Sequence, residues 1–232
     1  MKTLGLIGGM SWESTVPYYR MINEHVKQQL GGLHSAKLFL YSVDFYEIEK
    51  LQMAGDWQQA GEILGNAANS LARAGAEVIV VCTNTMHKVA DDIERIGGLP
   101  LLHIADATAE KIKEQGLRKI GLLGTRFTME QDFYRGRLQE KHHIEVVTPD
   151  EADRMIVHRI IYEELCLGII KEDSREEYRR IIGKLEQQGV EGIILGCTEI
   201  TLLVGAEDAR VPVFDPTAIP ALAAAAFALE QG

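Results

Sequence analysis

Apolar residues recur along this chain in two alternating rhythms. Short unbroken runs of aliphatic residues, such as Val78 to Val81 and Ile193 to Leu195, suit strands covered on both faces. Between them lie longer stretches whose apolar positions fall three and four apart, the spacing of a helix with one buried face. The pattern predicts strands over 3–7, 37–43, 78–81, 100–104, 119–123, 144–148, 192–195 and 211–214. It predicts helices over 16–29, 56–74, from 84 through 93, and over 106–115, 129–140, 150–168, 174–188 and 216–230. Ser11 or Ser14 can cap the first helix with Pro17 in its first turn, Asp106 can cap another, and Gln52 falls in a loop. Strand and helix alternate from end to end, which calls for an α/β fold with parallel sheets and right-handed crossovers.

The chain also repeats itself. Residues 71–84 align without gaps on residues 185–198, so that Thr83 falls on Cys197. Residues 4–9 align in the same way on 120–125. Two similar α/β domains follow: residues 1–98 closed by 211–232, and residues 99–210. The repeated loops follow strands at their carboxyl ends, where ligands of such sheets bind. Two halves facing each other about a pseudo-two-fold axis would bring Thr83 and Cys197 to one cleft.

Composition narrows the class. A formal charge of −10 argues against nonspecific nucleic-acid binding, and no apolar run reaches the roughly 20 residues of a membrane helix. The start lacks the pattern of a signal peptide, and the three cysteines have neither paired nor metal-ligand spacing, which points to a reducing cytoplasm and no metal. Gly8-Gly9 opens a tight turn before a helix, but there is neither a third glycine of a dinucleotide loop nor a Walker lysine.

A thiol and a hydroxyl in matched loops, with no metal, suit proton transfer at carbon: removal on one face and return on the other. Cysteine is the better base of the two, because a helix N-terminus can lower its ordinary pKa of about 8.5. Each residue also has a plainer reading. A buried cysteine at a strand end is most often core, and Thr83, Asn84, Thr85 and Thr198 can be helix caps. The matched repeat favours the chemical reading for Thr83 and Cys197. Cys82 points to the other face of its strand and Cys166 sits on an apolar helical face, so both read as core. His87 reads as a packing or hydrogen-bonding residue.

Gly8-Gly9-Met10, Asn84-Thr85-Met86-His87, Gly124-Thr125 through Thr128, and Gly196-Cys197-Thr198-Glu199 together resemble the aspartate/glutamate racemase family. The resemblance spans nearly the whole chain. It implies two flavodoxin-like domains with the active site between them, a homodimer, and a two-base mechanism with no pyridoxal phosphate or other cofactor. It implies Cys197 and Thr83 as the catalytic pair, and substrate contacts from Met10, Gln52, Asn84, Thr85, Thr125, Thr128, Thr198 and Glu199. Thr198-Glu199 is similar to the aspartate-racemase branch, which favours an acidic amino acid. One departure stands out: the family has cysteine directly before Asn-Thr, and here that residue is Thr83, with cysteine one place earlier at Cys82. A dicarboxylate-binding protein and a single-cysteine isomerase or decarboxylase of the same superfamily remain the alternatives.

Overall fold

The computed structural model describes residues 1–230. It has two compact units: Met1–Ile104 together with the chain from Thr217 onward, and Ala105–Pro216. In the first unit β1 (Leu4–Gly8), β2 (Leu38–Ser42) and β3 (Val78–Val81) form a parallel sheet in the order β2-β1-β3. Its helices are α1 (Trp12–Leu30), α2 (Phe45–Ala54), α3 (Trp57–Ala74) and α4 (Ala90–Gly97). The helix α5 (Ile104–Glu114) leads into the second unit. There β4 (Lys119–Gly124) follows, then α6 (Arg126–Glu130), α7 (Arg135–His142), β5 (Glu145–Val147), α8 (Glu151–Glu163) and α9 (Glu172–Gln187). With β6 (Gly192–Gly196) and β7 (Val213–Phe214) the second sheet has the order β5-β4-β6-β7. The last helix, α10 (Ala218–Leu229), returns to the first unit.

The sequence repeat is a repeat of pairing register. Leu4 pairs with Val78 and Ile7 with Val81; the aligned residues Ile120 and Leu123 pair with Gly192 and Leu195. The edges agree too. Ile79 donates its N–H to the Pro100 carbonyl at 2.9 Å, and Ile193 donates to that of Pro212 at 2.9 Å. Even a side-chain clasp recurs. The Glu77 carboxylate accepts from the Thr3 N–H at 2.5 Å, and the Glu191 carboxylate accepts from the Arg118 and Lys119 N–H groups at 2.6 and 3.0 Å.

The strands β1, β3, β4 and β6 are buried along nearly their whole length, as their unbroken apolar runs require, whereas the edge strand β2 leaves Phe39, Leu40 and Tyr41 exposed. On one face of the first sheet Ile7, Ile79 and Val81 pack with Leu64, Ala68, Met86 and Ile93. On the other, Leu4, Leu6, Val78 and Val80 meet Tyr18, Ile22 and Val26 of α1 and Ala221, Ala224, Ala225 and Ala228 of α10. The small alanines let α10 pack closely, which accounts for its composition. In the second unit Leu123, Ile193 and Leu195 pack with Val157, Ile160, Tyr178 and Ile181. Among the described residues no helix is long and apolar enough to cross a membrane.

Several boundaries differ from the sequence reading. Leu101 bridges to Ile79 and β7 pairs with β6, so residues 99–104 belong to the first unit and 211–216 to the second. Each of these segments returns beside the strand it has just left, a local crossover that periodicity alone does not locate. Ser11 caps α1, whose start at Trp12 puts Pro17 beyond the first turn. Asp106 lies inside α5 and caps nothing; its carboxylate instead pairs with Arg137, Lys141 and His142 at 2.7 Å each. The helix expected over 129–140 is two helices, α6 and α7, and the one expected over 150–168 ends at Glu163 and is followed by a short 3₁₀ turn, Leu165–Leu167.

Candidate active site

In the first unit, predicted site residues gather beyond the carboxyl ends of the strands. Gly9 turns the chain out of β1 with φ of +90°, a conformation that favours glycine, and its N–H donates to Thr15 Oγ1 at 2.9 Å. This places the buried Met10 in the cluster that holds Ile48 and Met86. Gln52 lies in α2 rather than in a loop, because Asp44 caps that helix by accepting from the Tyr46 N–H at 3.1 Å. Its Nε2 donates to Met86 Sδ at 3.0 Å, tying α2 to the loop after β3. Met86 is therefore a packing neighbour of the predicted site residues Gln52 and Met10 that sequence reasoning did not single out; its apolar side chain gave no signal of that contact.

The loop after β3 does not begin with a capped helix. Thr85–Val89 is a 3₁₀ turn, and the Asn84 side chain makes no cap hydrogen bond. Asn84 is 3% exposed, and neither Oδ1 nor Nδ2 has a hydrogen-bond partner; Gln52, at 4%, leaves its Oε1 unpartnered. A buried polar group without a partner costs about 1–3 kcal/mol, so such atoms are held for a reason other than stability. An amide offers both donors and an acceptor, the set that a carboxylate and an ammonium group need.

Thr83 is half-buried, and its position is fixed through His87. The Thr83 carbonyl lies 2.8 Å from His87 Nδ1, and the Ile104 N–H donates to His87 Nε2 at 3.3 Å. One nitrogen must donate and the other accept, so His87 is a neutral imidazole carrying its proton on Nδ1. His87 thus bridges the loop to the start of α5, matching its reading as a hydrogen-bonding residue. Cys82 is fully buried, and burial pushes its thiol far above the ordinary range, as befits a core residue.

In the second unit, Thr125 caps α6, and its Oγ1 accepts from the Thr128 N–H at 3.3 Å and lies 3.2 Å from Thr128 Oγ1. Thr128 packs in turn on Gly196, where an added Cβ would sit 3.0 Å from its methyl group and 2.7 Å from the Leu123 carbonyl. Cys197 follows directly and is 8% exposed. Its Sγ donates to Glu199 Oε2 at 2.9 Å, and the Thr198 hydroxyl donates to the same oxygen at 2.8 Å.

The thiol does not behave as a helix N-terminus would dictate. Thr198–Leu202 is only a short 3₁₀ turn. Burial, then the Glu199 charge, push the Cys197 thiol well above its ordinary range. Cys197 therefore rests as a protonated thiol, and the expectation of a lowered pKa is corrected. Cys166 lies in the 3₁₀ turn after α8 and packs against the same cluster as Cys197. Two surface hollows of the second unit, about 580 Å³ beside Arg179 and Asp208 and about 640 Å³ beside His158 and Tyr162, contain none of the predicted site residues.

The Asp/Glu/Hydantoin racemase family matches residues 7–224 of this chain. A Yersinia pestis structure, provisionally assigned as an Asp/Glu racemase, is 76% identical, with a TM-score of 0.94 over 99% of this chain and 100% of that one. An aspartate racemase homologue from Pyrococcus horikoshii is 41% identical, with a TM-score of 0.85 over 99% of this chain and 100% of that one. A broad-specificity amino-acid racemase of Bacillus subtilis is 21% identical over 93% of each chain. The chain belongs to the Asp/Glu/Hydantoin racemase family and is an isomerase of the racemase type.

Proposed function

We propose that the protein inverts the α-carbon of an acidic amino acid, aspartate or glutamate, without a cofactor, with Cys197 and Thr83 exchanging protons on opposite faces of that carbon. The observation that carries this reading is the common register of the two sheets, in which Thr83 and Cys197 each follow two residues after an equivalent strand pair, Ile7–Val81 and Leu123–Leu195. The buried Asn84 amide and the Gln52 Oε1, none of whose atoms has a partner, support a polar ligand at the first of these loops. In this reading Asn84, Thr85 and Thr198 hold the substrate's charged groups, with Met10, Gln52, Thr125 and Thr128 shaping the site. Neutralising the α-carboxylate makes the α-proton easier to remove, because the carbanion's charge spreads onto it. The Pyrococcus relative's description as an aspartate racemase homologue favours aspartate.

A hydroxyl is a weaker acid and base than a thiol, so the two half-reactions differ in rate. The equilibrium constant for inversion is one, so kcat/KM must be equal for the two enantiomers. The inequality appears instead in kcat and KM taken separately. The test is proton NMR of L- and D-aspartate and L- and D-glutamate with the protein in D₂O, followed by chiral analysis. Loss of the α-proton signal with appearance of the opposite enantiomer supports the reading. A thermal shift with substrate but no exchange would instead indicate a binding protein. Turnover of maleate or a malonate alone would indicate single-cysteine chemistry.

We also propose a cytoplasmic homodimer. Its three cysteines are free, as a reducing compartment keeps them. Trp12, Val16 and Tyr19 of α1 stand 64%, 53% and 53% exposed at helical spacing, an apolar stripe suited to a second copy. Tyr19→Glu is expected to shift the mass measured by light scattering from dimer to monomer.

A further inference from the structure

The hollow of about 640 Å³ in the second unit is lined by residues of α6 and α8 and by none of the catalytic candidates. Its volume is that of a small-molecule site. Aromatic rings form part of its wall: His158 and Tyr162 have centroids 4.8 Å apart at 57°, and Phe127 backs His158 edge-on at 6.3 Å. Beside them Met155 stands 65% exposed and Ile156 is half-buried, so the wall offers a ring and flexible apolar side chains together.

Two guanidinium groups and two carboxylates line the same hollow. Glu130 is held by Arg154 at 3.0 Å, and Arg159 lies 4.0 Å from Glu163 and 3.6 Å from Glu164. Arg126 has no carboxylate in ion-pair contact among the described residues; its guanidinium lies 5.8 Å from the Phe127 ring centroid. His158 adds a donor. Its Nδ1 accepts from the Arg126 N–H at 3.3 Å, so the neutral ring carries its proton on Nε2, which has no acceptor among the described residues. Burial first, and then the Arg126 charge, lower the imidazole pKa against the pull of Glu130, which keeps the ring neutral. We propose that this hollow binds a small aromatic monocarboxylate, its carboxylate held by Arg126 and the His158 Nε2–H and its ring packed on Tyr162, Met155 and Ile156. A planar guanidinium matches a carboxylate. Glu130 and Glu163 on the same wall oppose a second negative charge, which disfavours a phosphate dianion.

Such a ligand reaches the catalytic loops through His158. An anion that accepts from Nε2–H makes Nδ1 a stronger acceptor and tightens its hold on the Arg126 N–H. Arg126 is the first residue of α6 and follows its cap, Thr125, whose hydroxyl bonds to Thr128. The ligand is therefore an effector of the reaction as well as an occupant of the hollow. The effector role rests on the racemase reading above; the binding does not.

The experiment titrates the full-length protein with benzoate, benzyl alcohol, acetate and phenyl phosphate, followed by calorimetry and by backbone amide NMR. Benzoate is expected to bind with a Kd of about 1 mM or tighter and to move the Arg126 and Thr125 amide signals. The other three, lacking the charge, the ring or the single charge, are expected to bind at least about 10-fold more weakly. Arg126→Gln is expected to weaken benzoate about 10-fold, the worth of a hydrogen bond to a charged group. Met155→Glu places a third carboxylate on an exposed position of the wall; it is expected to abolish binding and to leave basal racemisation unchanged. In the parent protein saturating benzoate is expected to change KM for aspartate by at least about twofold, and in Met155→Glu to change nothing. Equal binding of benzoate and phenyl phosphate would overturn the monocarboxylate assignment. Signals that move at Asn84 and Thr198 instead, and still move in Met155→Glu, would place benzoate at the catalytic loops and overturn the site. Binding at the hollow with KM unchanged would overturn the effector role. Should the parent protein racemise nothing, the racemase reading fails by itself, while the Arg126 signal and the Met155→Glu titration still decide the site.

Discussion

In the first unit two buried amides beyond the sheet are left wanting: Asn84 has no partner at either end of its amide, and Gln52 none at Oε1. In the second unit Thr125 and Thr128 bond to each other, and Cys197 and Thr198 both bond to Glu199. The backbones that carry these loops share strand order and register. The difference thus lies in side chains placed on a common frame. The first loop region holds buried amide atoms without partners, and in the second the polar side chains bond to one another.

Removing the thiol is the harshest way to break this contrast. Cys197→Ala is expected to lower inversion by about 10²–10⁴-fold, measured by chiral analysis. Retention of more than about a tenth of the activity would mean that the second cluster is not the acid–base centre. Asn84→Ala comes next. It is expected to weaken substrate binding about 10–100-fold, the worth of a hydrogen bond to a charged group. Its melting temperature is expected to hold or rise, because no protein partner is lost. A large loss of stability would show that Asn84 has a structural role after all.

Thr83→Cys makes the two loops chemically alike and is expected to raise kcat several-fold. A neutral or harmful result would show that the first loop is shaped for a hydroxyl. Thr125→Ala is expected to behave unlike Asn84→Ala, costing about 1 kcal/mol in denaturant unfolding as a lost helix cap.

The smallest effect concerns acid. Burial alone would raise the carboxyl of Asp208, but hydrogen bonds from Arg175, the Gly205 N–H and Arg179 outweigh it and bring the pKa down to about 2. Asp106 is likewise held well below the carboxylate range by Arg137, Lys141 and His142 against the effect of burial. A carboxylate held low in the folded state contributes stability above its ordinary pKa and loses it as pH falls toward the folded value. Both lie in the second unit. Hydrogen exchange between pH 5 and 2 is expected to show that unit opening first; simultaneous opening would remove this distinction between the halves.

The frame was largely legible in the sequence, because buried parallel strands need unbroken apolar runs and the repeat carried the register from one sheet to the other. The pairing partners of Leu101 and Val213 were not, since two short Pro-led segments look alike until their neighbours are known. The cap assignments of Asn84 and Asp106 failed for a physical reason: short polar side chains suit caps, ligand sites and ion pairs equally, and only tertiary contacts separate these uses. Glu199 stood two residues from Cys197, yet the spacing did not reveal that the turn would fold its carboxylate back onto the thiol.

The most direct test of the unequal pair is α-proton exchange by Thr83→Ala in D₂O, followed separately from each enantiomer of aspartate. With Cys197 intact, one enantiomer is expected to exchange its α-proton while inversion is lost. Inversion at the parent rate, or exchange from both enantiomers, would contradict the division of labour between Thr83 and Cys197.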